Sequence, residues 1–409
     1  MRLQILVCSL LFMTQAACAF SHTVPVIEAT AETDPIPFGT KDTDDAAIWL
    51  NHLKPSESLI LGTSKVTPSG DRRGGLGVYD LSGRQKQFLL GDKLNNVDVA
   101  RLTTSSTGVE TSLAVASNRT ANGLDVFSIQ SNGNVQKEQT IPLIDSQGKS
   151  ITPYGLCTAI RQGQLEVFLP TKKGTLYRFR VNPTTLATAT LIDTFDLSTF
   201  VSADDDTFIK SIVEKTARKD DELDKLPEML AERFVLEACT YQGSKDRLFV
   251  GMENFGIWTV NLGKVEGPSV AIFQKISGSW TDIDSWSQNE AIPRITDDIE
   301  GMDVFAVDDR EYLVVSSQGI SEFNLFDLST NKILGNFKIR LGSDEVTETD
   351  GVATLASPLS QDLPEGVLVV HDDRNTNDAG SADNANYKIV SLKKILDALL
   401  KTPVPGSHL

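Results

Sequence analysis

Gly75-Leu-Gly-Val-Tyr-Asp-Leu-Ser-Gly83 reads as a short β-strand running into a turn. The phrase returns as Gly123-Leu-Asp-Val-Phe127, Gly174-Thr-Leu-Tyr-Arg-Phe179, Gly256-Ile-Trp-Thr-Val260, Phe323-Asn-Leu-Phe-Asp327 and Tyr387-Lys-Ile-Val390. Upstream of each stands an apolar run: Leu59–Gly62, Ser112–Ala116, Glu166–Leu169, Arg247–Val250, Tyr312–Val315 and Gly366–Val370. Further upstream, a polar residue opens each unit and is followed by small and apolar ones: Asp45–Ile48, Asn96–Val99, Tyr154–Cys157, Glu237–Thr240, Glu300–Asp303 and Asp350–Ala353. A weaker fourth run follows, such as Ile333–Ile339. Self-similarity at roughly fifty residues marks a radial repeat. Six units of about four strands predict an all-β chain folded as a six-bladed β-propeller over residues 24–395. The run Val24–Thr30 is expected to close the ring as the outer strand of the last blade, which removes an exposed edge.

The interval between the third and fourth units is the longest, 83 residues from Tyr154 to Glu237. Residues 201–235 account for the excess. They open with cap-competent Ser202 and pair Phe208 with Ile212, and Ile209 with Val213, at i, i+4. Leu223, Leu226 and Leu230 extend the stripe, so one or two amphipathic helices are expected between blades three and four.

The chain of 409 residues has 38 basic and 55 acidic residues, a balance of −17, which disfavours a nucleic-acid partner because a phosphate backbone needs a basic footprint. Residues 1–19 carry Arg2, an apolar run and Ala17-Cys-Ala19, the pattern of a secretory signal, so a secreted or periplasmic protein is expected. No later apolar run is long enough to span a bilayer. Export leaves Cys157 and Cys239, which occupy nearly the same place in neighbouring units, and a disulfide is expected between them.

The inner strands of a propeller present their ends to one mouth. The opening residues are Asp44-Asp45, Asn95-Asn96, Tyr154, Glu237, Asp298 with Glu300, and Asp350. Carboxylates gathered in one place repel one another unless a cation neutralises them, and an oxygen-only donor set selects calcium or magnesium. The second strands end in Lys65 and Arg72-Arg73, Asn118-Arg119, Lys172-Lys173 and Gln318. Cations beside a metal-filled carboxylate cluster fit an anionic substrate such as a phosphate. No Arg-His-Gly segment or Cys-to-Arg phosphate loop supplies a protein nucleophile, which leaves a metal-promoted attack by water.

Glu32-Thr-Asp-Pro35, Asp44-Asp-Ala-Ala-Ile-Trp49, Lys93-Leu-Asn-Asn-Val-Asp98, Ala116-Ser-Asn-Arg119, Tyr154-Gly-Leu-Cys157, Asp297-Asp-Ile-Glu-Gly301, Ser316-Ser-Gln-Gly319 and Thr349-Asp-Gly351 together resemble, in order, the motifs of the β-propeller phytases. The resemblance implies several calcium ions at one mouth of the propeller. They would bind phytate (myo-inositol hexakisphosphate) and activate the attacking water. It implies Glu32, Asp45, the Val97 carbonyl, Asp350 and the Gly351 carbonyl as ligands of stabilising calcium. Glu237, Glu253, Asp298 and Glu300 are implied as ligands of catalytic calcium, with Arg73, Arg119, Tyr154 and Lys173 on the phosphate side. Glu237, Asp298, Glu300 and Tyr154 form the implied catalytic set, in a monomer. The chain departs from the family at Leu236-Glu237-Ala238, where Thr-Glu-Gly is expected, and at Met252-Glu253-Asn254, where the acidic run is reduced. A calcium-binding propeller that holds phytate or another polyanion without turnover is the alternative.

Overall fold

A computed structural model describes residues 24–37, 43–70, 72–103, 110–182, 185–263, 267–285, 294–377 and 380–400, so the expected signal at 1–19 lies outside the described residues. Six antiparallel sheets follow one another along the chain. From inner to outer strand, blade one is Thr43–Trp49, Leu59–Ser64, Gly74–Asp80 and Gln85–Gly91. Blades two to five repeat the pattern from the inner strands Leu94–Thr103, Cys157–Arg161, Leu236–Gln242 and Met302–Val307. Blade six is built on Val352–Leu355, Val367–Asp372 and Asn386–Ser391.

The second strands are buried along most of their length and read as near-continuous apolar runs, because blades press on both of their faces. Outer strands such as Gln85–Gly91 have no fully buried residue and lie toward solvent. The apolar residues sort into six clusters, one between each pair of neighbouring blades. One joins Ala46, Ile60 and Tyr79 of blade one to Val367 and Tyr387 of blade six. That last cluster is what a closed ring requires and an open array lacks.

Ring closure differs from the expectation. Val26–Glu28 does not complete the last blade. It lies parallel to the outer strand Lys332–Leu341 of blade five, and Ala31–Glu32 supplies the fourth strand of blade six. The N-terminal segment therefore staples two neighbouring blades. The buried ammonium of Lys388 in blade six reinforces the staple, reaching Glu32 at 2.7 Å, Asp344 at 2.7 Å and Asp372 at 2.9 Å.

Between blades three and four, α1 (Ala203–Lys219) is capped by the Ser202 hydroxyl, and α2 (Leu226–Ala231) follows. Ile209, Ile212, Val213 and Ala217 form the buried face of α1. Leu223 does not extend this stripe: α1 ends at Asp220, Asp221 takes a left-handed conformation, and Leu223 stands 53% exposed in the connection. A helix missed in the sequence, α3 (Leu392–Leu400), packs Leu392, Ile395, Leu396 and Leu399 on blades five and six. Cys157 and Cys239 form the expected disulfide between the inner strands of blades three and four, Cα–Cα 5.6 Å. Among the described residues no helix is long and apolar enough to cross a membrane.

Candidate active site

The inner strands carry the site, and three of them are bulged where they do so. Register shifts fall between Thr43 and Ala46, between Leu94 and Val97, and between Leu236 and Cys239. These bulges contain Asp44-Asp45, Asn95-Asn96 and Glu237. A bulge re-aims side chains that regular alternation would have sent to opposite faces. In blades three, five and six, Tyr154, Glu300 and Asp350 stand on the loop just before the strand. Glycine follows each of the three. A Cβ at Gly155 would collide with the Glu237 backbone, and one at Gly351 with Asp45, so these glycines let neighbouring blades bring their acidic residues into contact.

Glu237, Glu253 and Glu300 each offer a carboxylate oxygen, all within 4.8 Å of one another. Asn95 ties this cluster to Arg119. Its Nδ2 donates to Glu237 Oε1 at 2.7 Å, and its Oδ1 accepts from Arg119 Nη1 at 2.9 Å. Gln318 Nε2 donates to Glu300 at 2.7 Å and also to Asp350. Lys65 Nζ lies 2.6 Å from Asp350 and 3.0 Å from Asp44. The Tyr154 ring has Arg119 at 5.0 Å and Lys172 at 4.8 Å from its centroid.

Burial, and then the neighbouring carboxylates, push Glu237 and Glu300 well above the usual carboxylate range. Asp298, held at positive φ, is raised the same way by burial and by Asp297 and Glu253. Burial pushes Glu253 up to about 7, with Lys172 opposing, and Asp44 up to about 6, with Lys65 opposing. Asp350 is the exception: burial would raise it, but Lys65 and His371 outweigh burial and hold it low. Lys65 is held protonated against its own burial by Asp350 and Asp44. The repulsion that raises these carboxylates is relieved by a bound proton or by a hard divalent cation with oxygen ligands. Glu253 Oε1, buried without a hydrogen-bond partner, points to the same conclusion. The residues fit a divalent ion with oxygen ligands.

Not every expected residue joins the cluster. Arg73 is exposed and donates to the carbonyls of Gly70 and Arg72 in its own loop, while Lys65 is the blade-one cation at the site. The insert between them carries Arg73 away. Lys173 is exposed, and its neighbour Lys172 is the one beside Tyr154. Both lysines lie in the turn between the second and third strands of blade three, where the sequence gives no alternation to tell them apart. Glu32 engages Lys388 and Asn386, so an ammonium stands where a metal was expected. Asp45 Oδ2 accepts from the Val97 N–H at 3.1 Å, and the Gly351 carbonyl accepts from the His371 N–H at 3.2 Å. Of that set, Asp350 remains beside the cluster. Asn95 and Gln318, placed at the mouth by the sequence but given no role there, are the amides that bridge its charged groups. Their position at the ends of inner and second strands was the available signal.

A sequence model of the phytase family matches residues 1–205 and 243–404. It leaves out 206–242, which holds most of the helical insertion and the inner strand with Glu237. The 3-phytase of Bacillus subtilis (strain 168) is 26% identical over 387 residues, covering 92% of this chain and 86% of that protein. A solved structure of a Lactobacillus plantarum protein covers 84% of both chains at 10% identity and a TM-score of 0.44, too distant to carry an argument. With the family's model spanning both sides of the insertion over a six-bladed ring of acidic inner strands, the chain belongs to the phytase family.

Proposed function

We propose that the protein is a calcium-dependent phosphomonoesterase that hydrolyses phytate, taken as its calcium salt, and that it works as a secreted or periplasmic monomer. The observation that carries this reading is the meeting of the Glu237–Glu253–Glu300 cluster with Arg119, Tyr154 and Lys172 across one amide, Asn95. Calcium, when bound by these carboxylates with Asp298 beside them, supplies Lewis-acid stabilisation of phosphate charge and acidifies the attacking water. Arg119 and Lys172 orient a phosphate against the opposite side of the cluster, as a fork and a point charge respectively. Burial and the surrounding carboxylates push the Tyr154 phenol well above its ordinary range, so it stays protonated and acts as a hydrogen-bond donor rather than a base. Asn95 holds Glu237 and Arg119 in register, and Gln318 does the same for Glu300 and Asp350. Both amides keep charged groups pre-organised, which is where electrostatic catalysis gains most.

The reduced acidic run at Met252-Glu253-Asn254 favours one rival, a propeller that binds the polyanion and does not turn it over. Phosphate release from phytate by the purified chain, measured against free calcium, separates the two. Release that rises with calcium and stops with chelator supports the enzyme. A folded protein that releases nothing at any calcium level leaves only the binder.

A further inference from the structure

The helical insertion reaches the phosphate side through a single carboxylate. The chain leaving the insertion is pinned by Leu236 N–H donating to the Thr171 carbonyl at 3.0 Å, and Val235 N–H closes a turn onto the Glu232 carbonyl at 3.0 Å. Arg233, next to Glu232, ties the end of α2 to the start of α1, donating to Asp206 at 2.5 Å and to the Leu230 carbonyl at 2.9 Å. Lys172 directly follows the anchored Thr171. These backbone constraints set Glu232 opposite Lys172, with Oε2 to Nζ at 3.8 Å. Both side chains are part-exposed, and both line a cavity of about 360 Å³ that also contains Arg119, Lys149, Tyr154, Lys173 and Asp145, whose Oδ1 accepts from the backbone N–H groups of Gln147 and Lys149.

Lys172 thus faces the carboxylate of Glu232 and the ring of Tyr154. Glu232 belongs to the insertion, most of which, Glu232 included, stands outside the family's sequence model. Glu232 is the carboxylate paired with Lys172, and an arriving phosphate has to displace it. We propose that Glu232 is a positioning residue that competes with the substrate's phosphate for Lys172, so that the insertion sets the affinity of the phosphate side. The proposal rests on the phosphate-side reading above. It gives the insertion a function in recognition beside the packing of α1 on the blades.

The test is a binding cycle with myo-inositol hexakissulfate, a polyanion with no phosphate to release, titrated calorimetrically in calcium. The proteins are the full chain, Glu232→Gln, Lys172→Met and the double variant. The expected result is about two- to fivefold tighter binding by Glu232→Gln, the range an exposed ion pair gives. That gain should vanish when Lys172 is Met, with thermal midpoints unchanged by Glu232→Gln. Equal tightening in both backgrounds would mean that only long-range charge changed, and no tightening would mean no competition. Either overturns the proposal, as does failure of the full chain to bind the probe. Phosphate release decides the parent reading separately. Coupling without turnover leaves the competition standing and rejects the enzyme, whereas turnover without coupling does the reverse.

Discussion

Lys65 Nζ stands 2.6 Å from Asp350 Oδ2, linking the second strand of blade one to the loop that opens blade six. Asp44 completes the contact at 3.0 Å. Asp350 and Asp44 are buried and Lys65 is 28% exposed, so replacing the lysine strands two carboxylates in a poorly solvated place. Lys65→Met is expected to lower stability by about 2 kcal/mol in chelator, below the full range for breaking a buried pair because solvent reaches the lysine. Calcium should restore more of the variant's stability than of the unaltered protein's, since a cation would now be wanted there. Denaturant unfolding with and without calcium checks both.

The raised carboxylates make the metal-free protein sensitive to pH in a defined direction. Glu253 rises from an ordinary 4.5 to about 7, and Asp44 from 3.8 to about 6. Glu237, Asp298 and Glu300 are pushed the same way. A carboxyl with a higher pKa folded than unfolded takes up a proton on folding. Its contribution is complete below the unfolded pKa and is lost as pH rises through the folded one. His371 opposes this: burial pushes it down to about 4, so its contribution is lost as pH falls below its ordinary 6.5. Several carboxylates outweigh one histidine. Thermal midpoints in chelator should therefore fall as pH rises from about 4.5 to about 7. Calcium should reverse the trend, because it replaces the protons and stabilises in proportion to its occupancy.

Arg119→Ala removes the donor that Asn95 accepts from and one of the two cations against Tyr154. The expected loss is about 100-fold in kcat/KM, of the order seen when one pre-organised charge is deleted. Asn95 can still donate to Glu237, so the thermal midpoint should change little. Steady-state kinetics and a melting curve on the same preparation check this.

The disulfide closes a loop of 82 residues, which contains the whole helical insertion. The chain-entropy relation gives roughly 4.5 kcal/mol for a loop of this length, and disulfides typically deliver about 2–4 kcal/mol. Cys157→Ala/Cys239→Ala is expected to lose that much in denaturant unfolding. It should loosen the meeting of blades three and four, where Tyr154 and Glu237 stand.

The repeating phrase from Gly75 to Tyr387 made the blade count legible, because each unit buries the same strand in the same way. Acidic residues at strand starts made the mouth legible as well. What the pattern concealed is local. The bulges at Asp44-Asp45, Asn95-Asn96 and Glu237 leave no mark in composition, yet they aim the side chains. Neither Lys172-Lys173 nor Lys65 against Arg73 can be resolved without knowing where a strand ends. Lys388 reads as a strand residue of the last unit, and only the fold shows that its ammonium collects Glu32, Asp344 and Asp372. Long-range partners of this kind are set by tertiary packing, to which short motifs are blind.

The central claim is that Glu237, Glu253 and Glu300 are tolerated together because they hold a divalent ion. Anomalous diffraction from a crystal soaked in calcium tests it directly. The account predicts an ion bonded to carboxylate oxygens of these three residues at about 2.3–2.6 Å. Calcium bound elsewhere, with this cluster empty at saturating concentration, would contradict it.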